Sequence, residues 1–196
     1  MGLTEDVRRI VDADRDWIRQ RFLKDTPFPP QIVWNPDPDS LPFSLLTNFV
    51  RSWCDMPRGT EGGLPSIADF DIIEFRKTMK YLMYLDVLDG GADFQYRVYG
   101  TGISQISGFD LTGMRLSETH IPPVTRDFML ACYAAVVTRR DVLFTEHHPP
   151  VHFKIATWSR VLAPLVDETG AVARIVAINY PDRLREPTDG VRPITP

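Results

Sequence analysis

His147, His148 and His152, with Glu146 beside them, are the most metal-like group in this chain. Neutral imidazole suits zinc, copper or nickel. Successive strand residues face opposite ways, so His147 and His148 do not share an ion on a regular strand. Pro149 and Pro150 leave room for a bend that brings in His152. No cysteine completes a tetrahedral site, and a polar turn with exposed histidines is the plainer reading. No metal ligand is assigned. The chain has two cysteines, Cys54 and Cys132, both in apolar helical patterns. They read as free buried thiols, which makes a reducing cytoplasm the expected location. Gly100-Thr101-Gly102 opens like a dinucleotide loop, but the sixth position is Gln105 and no parallel βαβ unit surrounds it. A G-x-S-x-G nucleophile elbow is absent.

Composition narrows the classes further. Lys and Arg number 22 against 26 Asp and Glu, a net charge of −4. A dedicated nucleic-acid binder shows a basic face and a high isoelectric point. Neither is present, so no nucleic-acid partner is expected. No apolar run reaches the ~20 residues of a membrane helix, and the acidic start Met1 to Asp6 lacks the apolar core of a signal peptide. No membrane partner is expected either. The 17 prolines are an excess, concentrated at 27–42 and in the tail.

The elements that position these residues follow from periodicity. Val7, Ile10, Val11, Trp17, Ile18 and Phe22 mark one amphipathic helix over 4–24, broken only by Asp14. Residues 27–42 keep no period and read as an extended linker. A second helix covers about 42–54 and a short one 72–79, capped by Asp69 or Asp71. From residue 81 the period becomes two. Strands are predicted over 81–88 and 94–99, paired so that Asp86 meets Arg97 and Tyr84 meets Tyr99. Ile103 and Ile106 are spaced for one helical turn. A longer helix opens at Pro122-Pro123 and runs to Arg139, its dense Ala131–Val137 run marking burial. Strands over 142–148, 154–166 and 172–180 follow, and Pro181 ends regular structure. Pro164 falls inside the second of these three, where proline implies an edge or a bulge. Two strands, short helices, one long helix and three strands make an antiparallel α+β fold. The boundaries are 1–60 for helices and linker, 61–181 for the domain and 182–196 for a tail.

This order resembles the PAS-domain superfamily, and within it a bacterial group of stand-alone single-domain proteins. The resemblance rests on Leu64-Pro65 with Asp69-Phe70-Asp71, Tyr96-Arg97-Val98-Tyr99-Gly100-Thr101, Gly108-Phe109-Asp110-Leu111-Thr112-Gly113, and Arg160-Val161-Leu162-Ala163-Pro164-Leu165. It spans about 64–181. It implies a five-stranded antiparallel sheet with helices over one face around a small pocket. It also implies sensing of a ligand, haem, flavin or redox state, or dimerisation. Output would pass through a partner protein that the sequence does not identify.

The cofactor is unknown. Flavin photosensors of the superfamily carry a reactive cysteine before the long helix, and 102–116 has none. Haem needs an axial histidine, which leaves His120 or His147. Met83, Tyr96, Met129, Cys132, Trp158 and Arg160 are the candidate ligand-binding residues. Arg160 either meets a carboxylate or ring in the pocket, or pairs with an acid such as Asp110 and holds a loop. No catalytic residue is assigned. The leading expectation is a non-catalytic sensor or interaction module, dimeric through its N-terminal elements. The helix at 4–24, within one chain or swapped across a dimer, or instead the helix at 42–54, would cover the outer sheet face. The rival is a small α+β cone enzyme, an isomerase or dehydratase. Asp86 or Glu146 would be its base, and the predicted register puts Asp86 on the outer face. A purely structural dimerisation domain is the third reading.

Overall fold

The computed structural model describes residues 3–24, 30–58, 63–148 and 157–182. In chain order come α1 (Leu3–Val11), α2 (Arg15–Phe22), β1 (Gln31–Trp34) and α3 (Ser44–Asp55). Then follow β2 (Leu82–Leu88), β3 (Asp93–Tyr99), α4 (Thr101–Ser107), α5 (Pro123–Arg139), β4 (Leu143–His147), β5 (Thr157–Val166) and β6 (Val172–Asp182). The strands form one antiparallel sheet in the order β1-β4-β5-β6-β2-β3. Strands β2 to β6 are the five that the PAS resemblance implies, and the class is α+β.

The sixth strand corrects the reading of 27–42 as a linker. Gln31 to Trp34 pair with β4, from Gln31↔Glu146 to Trp34↔Leu143. Four residues are too few to display a period, and Pro30 and Pro36 flank the strand without interrupting it. The Trp34 indole donates to the Ile10 carbonyl at 3.2 Å, which ties this edge to α1.

Each sheet face has its own core. On the inner face Met83, Leu85, Phe94, Tyr96, Leu162, Ile175 and Ala177 lie beneath α5, and α1 and α2 pack on α5 in turn. A helix that is apolar nearly all round needs cover on two sides. That second layer is why every residue from Ala131 to Val136 is buried. On the outer face Leu82, Val161, Ala163, Val176 and Ile178 lie beneath Leu46, Phe49, Val50 and Trp53 of α3. Phe75 joins them from a 3-10 turn (Ile72–Phe75) whose Ile73 amide is capped by Asp71. Helices therefore cover both faces, not one, and of the two helices expected as cover for the outer face it is α3 that lies there. Elements before residue 61 pack into the same two cores as later ones.

The single helix expected over 4–24 is two. Ala13 takes a positive φ of 51°, and Asp14 caps α2 by accepting from the Trp17 amide at 3.1 Å. Asp14 was the one break in the apolar stripe, and the break is where the chain turns.

The β2–β3 register also differs. Met83 pairs with Tyr99 and Tyr84 with Val98, but after a bulge Leu85 pairs with Tyr96 and Asp86 with Gln95. The turn is tighter than expected because Gly90 and Gly91 adopt φ of 67° and 96°. The extra residue on β3, Arg97, still reaches Asp86 as an ion pair. The bulge turns Tyr96 and Tyr99 to the same inner face, which strict alternation forbids. Tyr99 thus leaves the outer face assigned to it.

Pro164 sits in β5 where β4 has already ended, its last pair being Leu143↔Leu162. The Trp53 indole donates to the Pro164 carbonyl at 3.1 Å, and Val166 N donates to Pro65 O at 3.0 Å. The proline is at a local edge, and the β5–β6 register shifts just beyond it. Pro181 does not end the last strand; it pairs with Trp158, and β6 runs through Asp182. The rest of the predicted tail lies outside the described residues.

Gly100 is required by space. A Cβ there would stand 2.4 Å from the Lys80 carbonyl oxygen, while the Gly100 amide donates to Leu82 O at 2.8 Å. We expect Gly100→Ala to destabilise the fold by ~1–3 kcal/mol, an overpacking cost, read from urea midpoints. An unchanged midpoint would show that this contact yields freely.

Candidate ligand-binding cavity

A cavity of about 80 Å³ lies between the inner sheet face, α5 and the end of α2. Adjacent strands supply its polar side: His147 from β4, Arg160 from β5 and Asn179 from β6. Arg160 is the Cα partner of Thr145 on one side and Asn179 on the other. These residues share one face because partners across antiparallel strands point the same way. Phe128 and Met129 of α5, Trp158, and Phe22 and Leu23 supply apolar walls, with Phe109 and Leu111 from the loop after α4.

Arg160 dominates the electrostatics. It is 1% exposed, and among the described residues no carboxylate pairs with it. The guanidinium lies 5.7 Å from the Phe128 ring centroid and 5.5 Å from that of Tyr133. Its Nε and Nη2 have no hydrogen-bond partner. Pairing with Asp110 is not observed: that side chain is exposed, and its Oδ1 accepts from the Thr112 amide at 3.0 Å.

Burial keeps the neighbours neutral. His147 retains some exposed ring surface, yet its Nδ1 is shut off from solvent and has no partner. Desolvation, then the Arg160 charge, then His148 hold this imidazole well below its usual range. Burial pushes the Cys132 thiol up to about 11, against the opposing pull of Arg160. It pushes Tyr99 up to about 12, opposed by a hydrogen bond with Ser107. Tyr96 and Tyr133 are raised by burial as well, and their hydroxyls meet at 3.0 Å. Cys132 therefore has no thiolate character to act as a nucleophile.

Of the six residues expected at a pocket, Met129, Trp158 and Arg160 line this cavity. Met83, Tyr96 and Cys132 are fully buried in the adjoining core and do not line it. His147 and His148 both line it, rather than standing on an exposed turn. His152 lies outside the described residues, and among those described no group of three or more His, Cys, Asp or Glu is placed to hold a metal. His120 is exposed and does not line the cavity. Asp86 and Glu146 do not line it either. Asp86 is paired with Arg97 and Arg174, on the face of Tyr84; Glu146 accepts from Ser159 Oγ at 3.2 Å.

Sequence reasoning missed Asn179, Tyr99, Phe109, Leu111 and α2. Asn179 was readable by alternation, since Ile175, Ala177 and Asn179 share one side of β6. Phe109 and Leu111 stand in the G-x-D-L-T-G stretch that carries the resemblance. The contribution of α2 had no signal, because it depends on the turn at Ala13.

No family model matches the chain, and no curated protein matches it. A solved structure described as "Structure of an RNA-binding Light-Oxygen-Voltage Receptor" matches 91% of this chain at 11% identity, with a TM-score of 0.38. The match spans 60% of that protein. A likeness at this score carries no argument about function. Among the described residues no helix is long and apolar enough to cross a membrane.

Stability should report the neutral His147. The unfolded imidazole titrates near ~6.5, above the folded one, so acid protonates the unfolded chain first. Stability from this group is complete above that pH and falls as pH drops below it. We expect the urea midpoint to fall from pH 7.5 to 5.5, and His147→Phe to remove most of the fall. The same fall in that variant would locate it elsewhere.

Proposed function

We propose that the chain is a non-catalytic PAS-type sensory module that binds a small ligand in this cavity. The observation that carries the reading is the clustering of unsatisfied polar atoms. Seven buried side-chain N or O atoms among the described residues lack a hydrogen-bond partner, one of which, Asp86 Oδ1, is in the ion pair with Arg174. Five of them belong to Thr145, His147, Arg160 and Asn179, on neighbouring strands of one face. Buried polar groups are almost always satisfied, so such a cluster marks a place where something else binds. Asp86 and Glu146, the two bases named for the cone-enzyme reading, do not line the cavity.

The cavity is below the ~300 Å³ of ordinary drug-sized pockets. The space suits a ligand of few atoms. Transmission would run through the aromatic contacts. Phe128 meets His147 at 5.1 Å and Phe22 of α2 at 5.4 Å, and Phe22 meets Trp17 at 5.9 Å. Arg21 of α2 pairs with Asp6 of α1 and Asp127 of α5. A ligand that fixes Phe128 therefore favours one packing of the N-terminal helices, a population shift. The expected homodimer rested on an amphipathic stripe without an internal partner. Ile10 and Ile18 of that stripe are buried in the inner core, so the motive for it is gone.

Native mass spectrometry of the full chain from cells tests the ligand. We expect one small molecule per chain, lost in Thr125→Trp, which puts a large side chain among the lining residues. We also expect amide exchange in α2 and α5 to slow when the ligand is present. A protein that carries no added mass, with exchange unaltered by Thr125→Trp, would leave the scaffold reading instead.

A further inference from the structure

We propose that the ligand is a short-chain organic monocarboxylate, held side-on by Arg160. The proposal rests on reading the cavity as a ligand site and adds the chemical class. The two unpartnered nitrogens, Nε and Nη2, lie on the same edge of the guanidinium. That edge presents two parallel N–H groups, which match the two oxygens of a carboxylate. An ion pair of this kind is what a closed-off guanidinium lacks here.

Charge favours a ligand with one negative unit. Among the described lining residues Arg160 is the only Lys or Arg, and no Asp or Glu stands among them. His147 is neutral for the reasons given above. One cation balances one carboxylate; a phosphate dianion or a dicarboxylate would leave a buried excess charge. The walls of Phe128, Met129, Trp158 and Leu111 suit a small apolar body attached to that carboxylate. Thr145 Oγ1 and Asn179 Oδ1, on either side of Arg160, are the remaining unsatisfied atoms. Asn179 lines the cavity, and Thr145 lies buried behind Arg160 on the same face. The volume of about 80 Å³ suits a short chain, so a free acid is the source the proposal commits to.

Isothermal titration of the full chain at pH 7.5 tests the class, with acetate, propanoate and butanoate as probes. Propanamide is the neutral isostere, and inorganic phosphate is the competing anion. We expect propanoate to bind ~10-fold or more tightly than propanamide, as a charge-assisted pair allows. Arg160→Met should abolish the difference. Asn179→Asp, which places a carboxylate beside Arg160, should weaken propanoate by a similar factor and guards against misfolding of the first variant. Equal binding of propanamide would overturn the carboxylate while leaving the cavity a ligand site. Binding of phosphate in preference to every carboxylate would overturn it in favour of an inorganic anion. Failure of all probes would overturn it too, and the native mass spectrum would then decide separately whether the cavity holds a ligand.

Discussion

A guanidinium closed off from water with no carboxylate beside it costs several kcal/mol unless something else satisfies it. Arg160 is in that position, in the middle of β5 and under the longest helix. Its surroundings make sense in this light. The aromatic faces of Phe128 and Tyr133 offer partial compensation through their quadrupoles. They do not satisfy Nε or Nη2. His147 stays neutral because a second cation at that depth would compound the cost. Cavity and charge belong together: Arg160 is itself one of the cavity's lining residues.

Such a site needs rigid support, and the two cores supply it. α5 lies between the sheet and the α1–α2 layer, so the wall carrying Phe128 and Met129 is held from both sides. On the far face α3 and the Trp53–Pro164 hydrogen bond hold β5 flat against β6 where β4 has ended. The α1–α2 layer is the thinner one. α1 and α2 are short, joined through the positive φ at Ala13, and fastened across by Arg21. Ligand contact through Phe128 and Phe22 acts on that layer first.

The pattern of apolar residues told most of the architecture. The long helix, five strands, α3 and the proline at a local edge were all legible, since each rests on a period or on a single residue with one physical meaning. What escaped was short or depended on a departure from regularity. β1 has too few residues for a period. The turn at Ala13 and the bulge at Arg97 each add or bend by one residue, which reverses faces downstream and moved Tyr99 inward. The site was legible where alternation and helical spacing sufficed: Trp158, Arg160 and Met129 line the cavity. Met83, Tyr96 and Cys132 share its face but are covered, a difference of depth that a face pattern does not encode. His147 was ambiguous because its neighbours are polar and prolines follow, so the sequence around it looks like a surface turn.

The most direct measurement is the urea stability of Arg160→Met, compared with the unsubstituted chain after removal of bound small molecules by dialysis. Methionine retains much of the arginine stem without its charge. If Arg160 is an uncompensated buried cation kept for a ligand, the ligand-free variant will be equally stable or more stable, by up to ~1–4 kcal/mol. A variant destabilised by ~3–5 kcal/mol, the cost of breaking a buried pair, would mean that Arg160 already has its partner inside the fold, and would contradict the account.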